Sequence, residues 1–336
     1  MPNPRADIPV RAPEATPVDD AVLPFEVAAL DVRGRLVRLG PAVDEILARH
    51  NYPLPVARLL GEAIVMTVLL GTTIRMEGRF TLQTKTDGPV RMLVVDFRGP
   101  NAVRAYAGFD GARVEAAAEA GKVDAGSLMG RGHLAMTIDQ GSERNRYQGV
   151  VALQGGSLED AAHEYFRSSE QIPTRVRLAV GEELSAGSVH RWRAGGILVQ
   201  FLPRDPARAR VPDLDPGDAP ESTPVHTVAE DDAWVEARSL IATVEDVELL
   251  EGALSSERLV YRLFHAHEVR AFRHRQIVAQ CSCSRPGVEA MLRSFSQADR
   301  DHMVEDGMIS VKCEFCSAKY SFAPEDVRDA PSSGVN

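Results

Sequence analysis

The sequence predicts an α+β fold: an N-terminal mixed domain of antiparallel hairpins and packed helices, a helical linker, and a small C-terminal α+β domain. Three observations carry this. Over the first two-thirds of the chain, strand-like runs meet at turn signals instead of alternating regularly with helices. A stretch rich in Pro and acid then interrupts the pattern. Finally, all four cysteines of the 336-residue chain fall near its C-terminus, at Cys281, Cys283, Cys313 and Cys316.

Residues 1–25, beginning MPNPRADIPVRAPEATPVDDA, read as a disordered extension, and without an apolar h-region they are not a secretory signal. The N-terminal domain is expected over 26–210. AALDVRGRLVRL (28–39) alternates as a strand or hairpin, and PAVDEILARH (41–50) reads as a short helix with Pro41 at its first position. LLGEAIVMTVLLGTTI (59–74) is the most apolar run. It is short for a bilayer span, carries Glu62 and is bounded by Arg58 and Arg75, so it reads as a buried helix and not as a membrane segment. RFTLQTKTDGPVRMLVVDF (79–97) reads as two strands joined at Asp87-Gly88. AVRAYAGF, HLAMTID (133–139) and YQGVVALQGG (147–156) continue the strands. SLEDAAHEYFRSSEQIPT (157–174) is an amphipathic helix with Ser157 and Asp160 at capping-box spacing and Pro173 at its end. TRVRLAVGE (174–182) and GGILVQFLP (195–203) are strands.

Residues 211–270 are expected to form an acidic, Pro-rich loop followed by a helical linker. Between Asp213 and Asp232 the sequence has seven acidic residues and no Lys or Arg, and Pro212, Pro216, Pro220 and Pro224 break any helix. Helical patterns follow at 233–251 and 255–269, the second with Leu259, Leu263 and Phe264 on one face. The C-terminal domain spans 271–325, and 326–336 is a polar tail. Within that domain 285–307 holds two short helices with Met291, Leu292, Phe295 and Met303 as apolar positions, and 308–322 reads as a hairpin.

Composition narrows the function. Hydrophobic residues are 44% and charged residues 26%, enough to bury a core, while the net charge of −10 and pI near 5.5 disfavour a nucleic-acid or anionic-membrane binder. Residues 271–325 carry seven Lys or Arg against seven Asp or Glu, with no basic stripe and no interleaved aromatics. Without an export signal the expected compartment is the reducing cytoplasm, where closely spaced cysteines serve as metal ligands or redox groups.

The cysteines form Cys-x-Cys, a spacer of 29 residues, and Cys-x-x-Cys. Two close pairs brought together by a fold-back make a tetrahedral Zn²⁺ site, and four thiolates leave no open position for a catalytic water. The C-terminal domain is therefore read as zinc-binding, its one zinc structural or regulatory. His265, His267, His274 and His302 are nearby alternative ligands, and Lys312 and Arg285 are cations within reach of the thiolates. Gly130 and Gly132 lie in no phosphate-loop spacing, Tyr165 and Phe166 read as core, and no Ser–His–Asp or paired-carboxylate arrangement is visible. At this level three readings stand: a structural or regulatory zinc site, a zinc-ribbon nucleic-acid-binding protein, and a thiol–disulfide oxidoreductase using Cys313–Cys316.

Beyond the cysteines, GRGHLAMTIDQG (130–141), YFRSSEQIPT (165–174), GGILVQFLP (195–203) and YRLFH (261–265) occur in that order. With the cysteine pattern, they make the chain resemble the bacterial redox-regulated heat-shock chaperones, the 33 kDa chaperonin family, over roughly residues 26–325. The resemblance implies an ATP-independent holdase and no enzyme. It implies a reduced, zinc-bound resting form held by Cys281, Cys283, Cys313 and Cys316. It implies that oxidation forms Cys281–Cys283 and Cys313–Cys316, releases zinc and unfolds the small domain with its adjoining linker. Expected partners are unfolded or partly folded clients, a second copy on activation, and an ATP-dependent foldase that receives the client, with neither nucleic acid nor membrane. The acidic linker is longer than the family pattern.

Overall fold

A computed structural model of the chain describes residues 8–9, 18–73, 78–140, 146–185, 189–205 and 230–327. Most of the expected extension, loop and tail lies outside those residues. The chain divides into two units, Met1–Ala279 and Gln280–Asn336.

The first unit opens with β1 (Ile8–Pro9), β2 (Ala21–Val27) and β3 (Val32–Leu39), followed by α1 (Pro41–Ala48) and α2 (Leu54–Gly71). Next come β4 (Arg79–Thr86), β5 (Val90–Arg98) and β6 (Ala102–Phe109). Two helices, α3 (Gly111–Glu119) and α4 (Ala125–Met129), begin at Asp110 and Asp124, whose carboxylates accept from Arg113 N–H and Ser127 N–H. Then follow β7 (Arg131–Asp139), β8 (Arg146–Gln154), α5 (Leu158–Tyr165), β9 (Thr174–Ser185) and β10 (Val189–Phe201). The capping box of α5 forms as expected, but the α-helix stops at Tyr165 and gives way to a single π turn, Phe166–Glu170, closed by Gln171 in the left-handed region. The unit ends with α6 (Asp232–Ala242), α7 (Asp246–Leu250), α8 (Ser256–Leu263), β11 (Val269–Ala271), β12 (Arg275–Gln276) and β13 (Val278–Ala279).

The strands form two sheets. The first runs β1-β11-β2-β3-β10-β9, with β12 also on β2; the second runs β13-β6-β5-β4-β7-β8. Helix α2 packs against strands of both sheets, and this explains its composition. By length and apolarity it matches a membrane span, yet 78% of it is buried inside the unit. A helix covered on all sides needs no polar stripe.

The first sheet is buried on both faces. Val22, Val37, Leu39, Ala194 and Leu198 point into the core around α2. Their neighbours Leu23, Phe25, Leu36, Ile197, Val199 and Phe201 point to the other side, where Trp234, Ala237, Ile241, Leu249, Leu259, Leu263 and Phe264 of the α6–α8 segment cover them. GGILVQF is continuous in its hydrophobicity because both of its faces are dry.

The structure differs from the sequence reading in several places. Ala21–Phe25, expected within the extension, belong to a buried strand paired with β3. The single helix expected over 233–251 is two, divided at Thr243–Glu245, where Glu245 and Glu248 form a capping box for α7. The helix expected over 255–269 ends at Leu263, and residues 269–279 pair with β2 and β6 as short strands of the first unit. These strands are two or three residues long, and their partners, not a local pattern, define them.

The second unit has α9 (Arg285–Arg293), α10 (Gln297–His302), and a sheet of β14 (Val304–Glu305), β15 (Met308–Lys312) and β16 (Lys319–Phe322) in that order. The two helices and the hairpin are those expected, and the chain is α+β throughout.

Candidate metal centre

Each cysteine pair sits where a short element begins or turns. Cys281 and Cys283 precede α9, whose cap Ser284 accepts from the Gly287 N–H. Pro286 suits the first turn, because a missing N–H costs nothing there. Cys313 and Cys316 occupy the turn between β15 and β16. Ser317 N–H donates to the Cys313 carbonyl at 2.8 Å, Cys313 N–H donates to the Ala318 carbonyl at 2.9 Å, and Ser317 takes φ 58°. That tight turn directs both thiols to the same side of the hairpin.

All four Sγ atoms lie within 4.8 Å of one another, and all four side chains are partly buried. Cys281 Sγ is 3.8 Å from Cys313 Sγ, and Cys283 Sγ is 3.3 Å from Cys316 Sγ. Four sulfurs bound tetrahedrally to Zn²⁺ at about 2.3 Å stand roughly 3.8 Å apart, so the spacing fits a four-thiolate site. Among the described residues this is the cluster able to hold a metal ion.

The surroundings favour anionic sulfur. Backbone N–H groups of Phe315 and Cys316 are directed at Cys313 Sγ, and that of Ala318 at Cys316 Sγ. Tyr320 Oη donates to Cys283 Sγ at 3.2 Å, and this contact pushes the tyrosine pKa up to about 12. Burial nevertheless raises the Cys313 thiol, and burial with sulfur neighbours pushes Cys316 up to about 12. Crowded sulfurs resist ionising beside one another unless a cation sits among them. The donor set and this resistance to ionising unaided both match a soft divalent ion.

The four histidines join no cluster. His265 Nδ1 contacts the Arg262 carbonyl, His267 Nε2 pairs with Glu236 at 2.7 Å, His274 Nε2 with Glu257 at 3.0 Å, and His302 Nδ1 contacts the Ala298 carbonyl. Arg285 lies 4.4 Å from the Phe322 ring centroid and donates to the Ser321 carbonyl, so it is a packing residue of the hairpin. Lys312 is exposed on β15. Tyr320 and the amide donors were not legible in the sequence. The only signal for them was position, since residues just after a Cys-x-x-Cys knuckle return past its sulfurs.

The core of this unit is small: Leu292, Ile309, Phe322 and Val327 are fully buried, with Val288, Met303, Val304, Val311 and Tyr320 packed against them. Arg300 is buried as well, bonding the carbonyls of Arg293 and Phe295. Cys313–Cys316 open no helix, unlike a dithiol–disulfide oxidoreductase motif.

A two-sheet α+β unit with one sheet buried on both faces, followed in the chain by a small unit with four convergent thiols, defines a two-unit cysteine-cluster protein. Residues 20–323 match the Hsp33 protein family, and the chain belongs to that family. A 33 kDa chaperonin of Caulobacter vibrioides is 42% identical over 316 residues, spanning 93% of this chain and 98% of its own. A 33 kDa chaperonin of Pseudomonas aeruginosa is 37% identical over 301 residues, 88% of this chain and 89% of its own. The crystal structure of the 33 kDa chaperonin of Thermotoga maritima superposes with a TM-score of 0.69 at 21% identity, covering 92% of this chain and 96% of that one, and shows the shared fold.

Proposed function

We propose that the chain is a redox-regulated, ATP-independent holdase of the cytoplasm, not an enzyme. The observation that carries this reading is the convergence of all four cysteines in a unit with four fully buried apolar side chains. Cys281, Cys283, Cys313 and Cys316 would hold one Zn²⁺. Bound zinc would supply most of the small unit's folding free energy, on the order of 10–16 kcal/mol in structural zinc peptides, and would keep the thiols ionised.

Oxidation ends that arrangement. In each pair, Cys281–Cys283 and Cys313–Cys316, two thiols form one disulfide, give two electrons to one peroxide, and the peroxide leaves as two waters. Disulfide sulfur is a poor zinc ligand, so the ion departs and the unit loses its main support. A Cys-x-Cys bond closes a small strained ring and is readily reduced, which makes the switch reversible.

The client surface is supplied by the first unit. Segment α6–α8 covers an apolar sheet face, and its chain continues through 269–279 directly into the cysteine unit. Loss of the zinc unit would free this cover and bare Leu23, Phe25, Ile197, Val199 and Phe201 to unfolding polypeptides. The active form would pair with a second copy and pass its clients to an ATP-dependent foldase.

The test treats the full chain with peroxide at elevated temperature. It follows zinc with a chromogenic chelator and a client's aggregation by light scattering. Zinc release and suppression of aggregation should rise together and reverse with a dithiol. Zinc loss with no gain in suppression rejects the switch.

A further inference from the structure

Helix α7 is held on the first sheet in a way that hydrophobic cover alone does not require. The strand register sets Arg38 of β3 beside Gly195 of β10, and Gly195 beside Ala179 of β9. Two residues along on the same face, Arg193 pairs with Gly181. Small residues thus form a flat seat flanked by two guanidinium groups.

The backbone of α7 rests on this seat. A Cβ on Gly195 would lie 2.3 Å from the Leu249 carbonyl oxygen, and one on Gly181 would lie 2.9 Å from a Leu250 methyl. Arg38 donates to the Glu248 carbonyl at 2.7 Å and also to the Glu251 carbonyl, and Arg193 Nε donates to the Leu250 carbonyl at 2.9 Å. Three carbonyls at the open end of a helix are therefore satisfied by side chains of another element. Leu249 is 1% exposed, and Asp246 pairs with Arg177 of β9 at 3.0 Å. Val247, on the outer side, is 58% exposed. Arg38 is itself 2% exposed. A buried guanidinium needs partners for its donors.

We propose that this seat is a recognition site for the carbonyl-bearing end of an acidic, leucine-containing helical segment, and that residues 245–251 are its internal occupant. This deepens the holdase reading and rests on it: once α7 leaves, Arg38, Arg177 and Arg193 face the solvent beside an apolar strip. The client class then follows from the seat's chemistry. It takes frayed C-terminal turns of amphipathic helices, with leucine for the strip, free carbonyls for Arg38 and Arg193, and a carboxylate for Arg177. Arg193 also pairs with Asp19 and Glu183, and Arg177 lies 3.9 Å from Glu159, so basic apolar segments are disfavoured by the positive charge that these carboxylates leave uncompensated.

The test uses a labelled synthetic peptide of residues 243–253, TVEDVELLEGA. Fluorescence anisotropy measures its binding to the full chain before and after peroxide. The oxidised protein should bind it and the reduced protein should not. A peptide with Leu249→Ala and Leu250→Ala, and another with Glu248→Lys and Glu251→Lys, should each bind at least about tenfold more weakly. In the protein, Arg193→Gln and Arg38→Met should each weaken binding about tenfold, the loss expected for a charge-assisted hydrogen bond. Arg193 lies nearer the surface, so Arg193→Gln answers even where Arg38→Met fails to fold. Aggregation suppression is read on the same samples. Suppression without peptide binding overturns the seat and leaves the holdase reading intact. Peptide binding without suppression supports the seat and overturns the holdase. Equal binding of the lysine peptide overturns the acidic preference.

Discussion

Gly195 shows how one missing side chain fixes the position of an element fifty residues away. The next residue, Gly196, faces α2, where a Cβ would lie 2.5 Å from a Val65 methyl. The pair is therefore closed from both sides of the sheet, and any side chain at either position displaces a helix. Gly195→Ala should lift α7 and cost about 1–3 kcal/mol of local packing. Hydrogen exchange of residues 246–251 in the reduced protein should then quicken at least about tenfold while zinc content stays unchanged. Wild-type protection in that variant would mean that α7 is not seated on this glycine.

Two partly buried titratable groups work in opposite directions. His163 Nε2 accepts the Val176 N–H at 3.0 Å, and burial, helped by the Arg175 cation, pushes its pKa down to about 4. The unfolded chain binds a proton on this ring below about pH 6.5, where the folded one does not. Its stabilisation is complete above that pH and is lost as the pH falls toward 4. Glu62 of α2 is the reverse case. Burial first, then the charges of Glu159 and Asp246, push it up to about 7. It favours the fold below about pH 4.5 and ceases to as the pH rises to 7. Glu62→Gln should raise the thermal midpoint at pH 7.5 by a few degrees and leave it nearly unchanged at pH 4. Melting curves from pH 4 to 8 measure this, and a uniform shift at every pH would contradict the assignment.

At the scale of elements, the α6–α8 segment has one apolar face and little support beyond the sheet it covers. Trp234 is 6% exposed, with its ring 6.2 Å from that of Phe201. In a Trp192→Phe background Trp234 is the only tryptophan left, since the chain has two. Its emission should shift to the red on peroxide treatment and return on reduction. Amides of 232–263 should lose protection in the same interval. Equal protection in both states would sink the idea that this cover is released.

Elements with a strong local code are legible in the sequence. The apolar run of α2, the Asp87-Gly88 turn, the Ser157–Asp160 box and the paired cysteines each declare themselves within a few residues. What escapes depends on distant partners. Pro24 and the Pro-rich, acidic residues before it disguise β2, whose burial comes from β3 and β11. β12 and β13 are two residues each and exist only because β2 and β6 receive them. Arg38 reads as one more surface cation until the chain brings Glu251, 213 residues away, against it. In the candidate centre the four thiols are legible, whereas the Tyr320 hydroxyl is not.

At the scale of the whole molecule, the two units divide the work by what holds them together. The first has two large apolar cores on either side of a shared sheet. The second has four fully buried apolar residues and four thiols. Cys283→Ser should therefore abolish stoichiometric zinc and melt the second unit, while the sheets of the first keep their thermal transition. Circular dichroism and differential scanning calorimetry on the full chain separate the two transitions, and a single shared midpoint would show that the units do not fold independently.

The poverty of that second core has a consequence in mass action. A fold supported by a bound ion is stabilised in proportion to the logarithm of the ion's free concentration over its dissociation constant. On the proposed zinc-bound reading, the unit would therefore respond to free zinc as well as to oxidant. Dialysis against a series of zinc buffers, with no peroxide present, should titrate the same loss of amide protection that the proposed switch expects of oxidation. On the proposed function, zinc depletion alone would then activate the chain along the same path as peroxide.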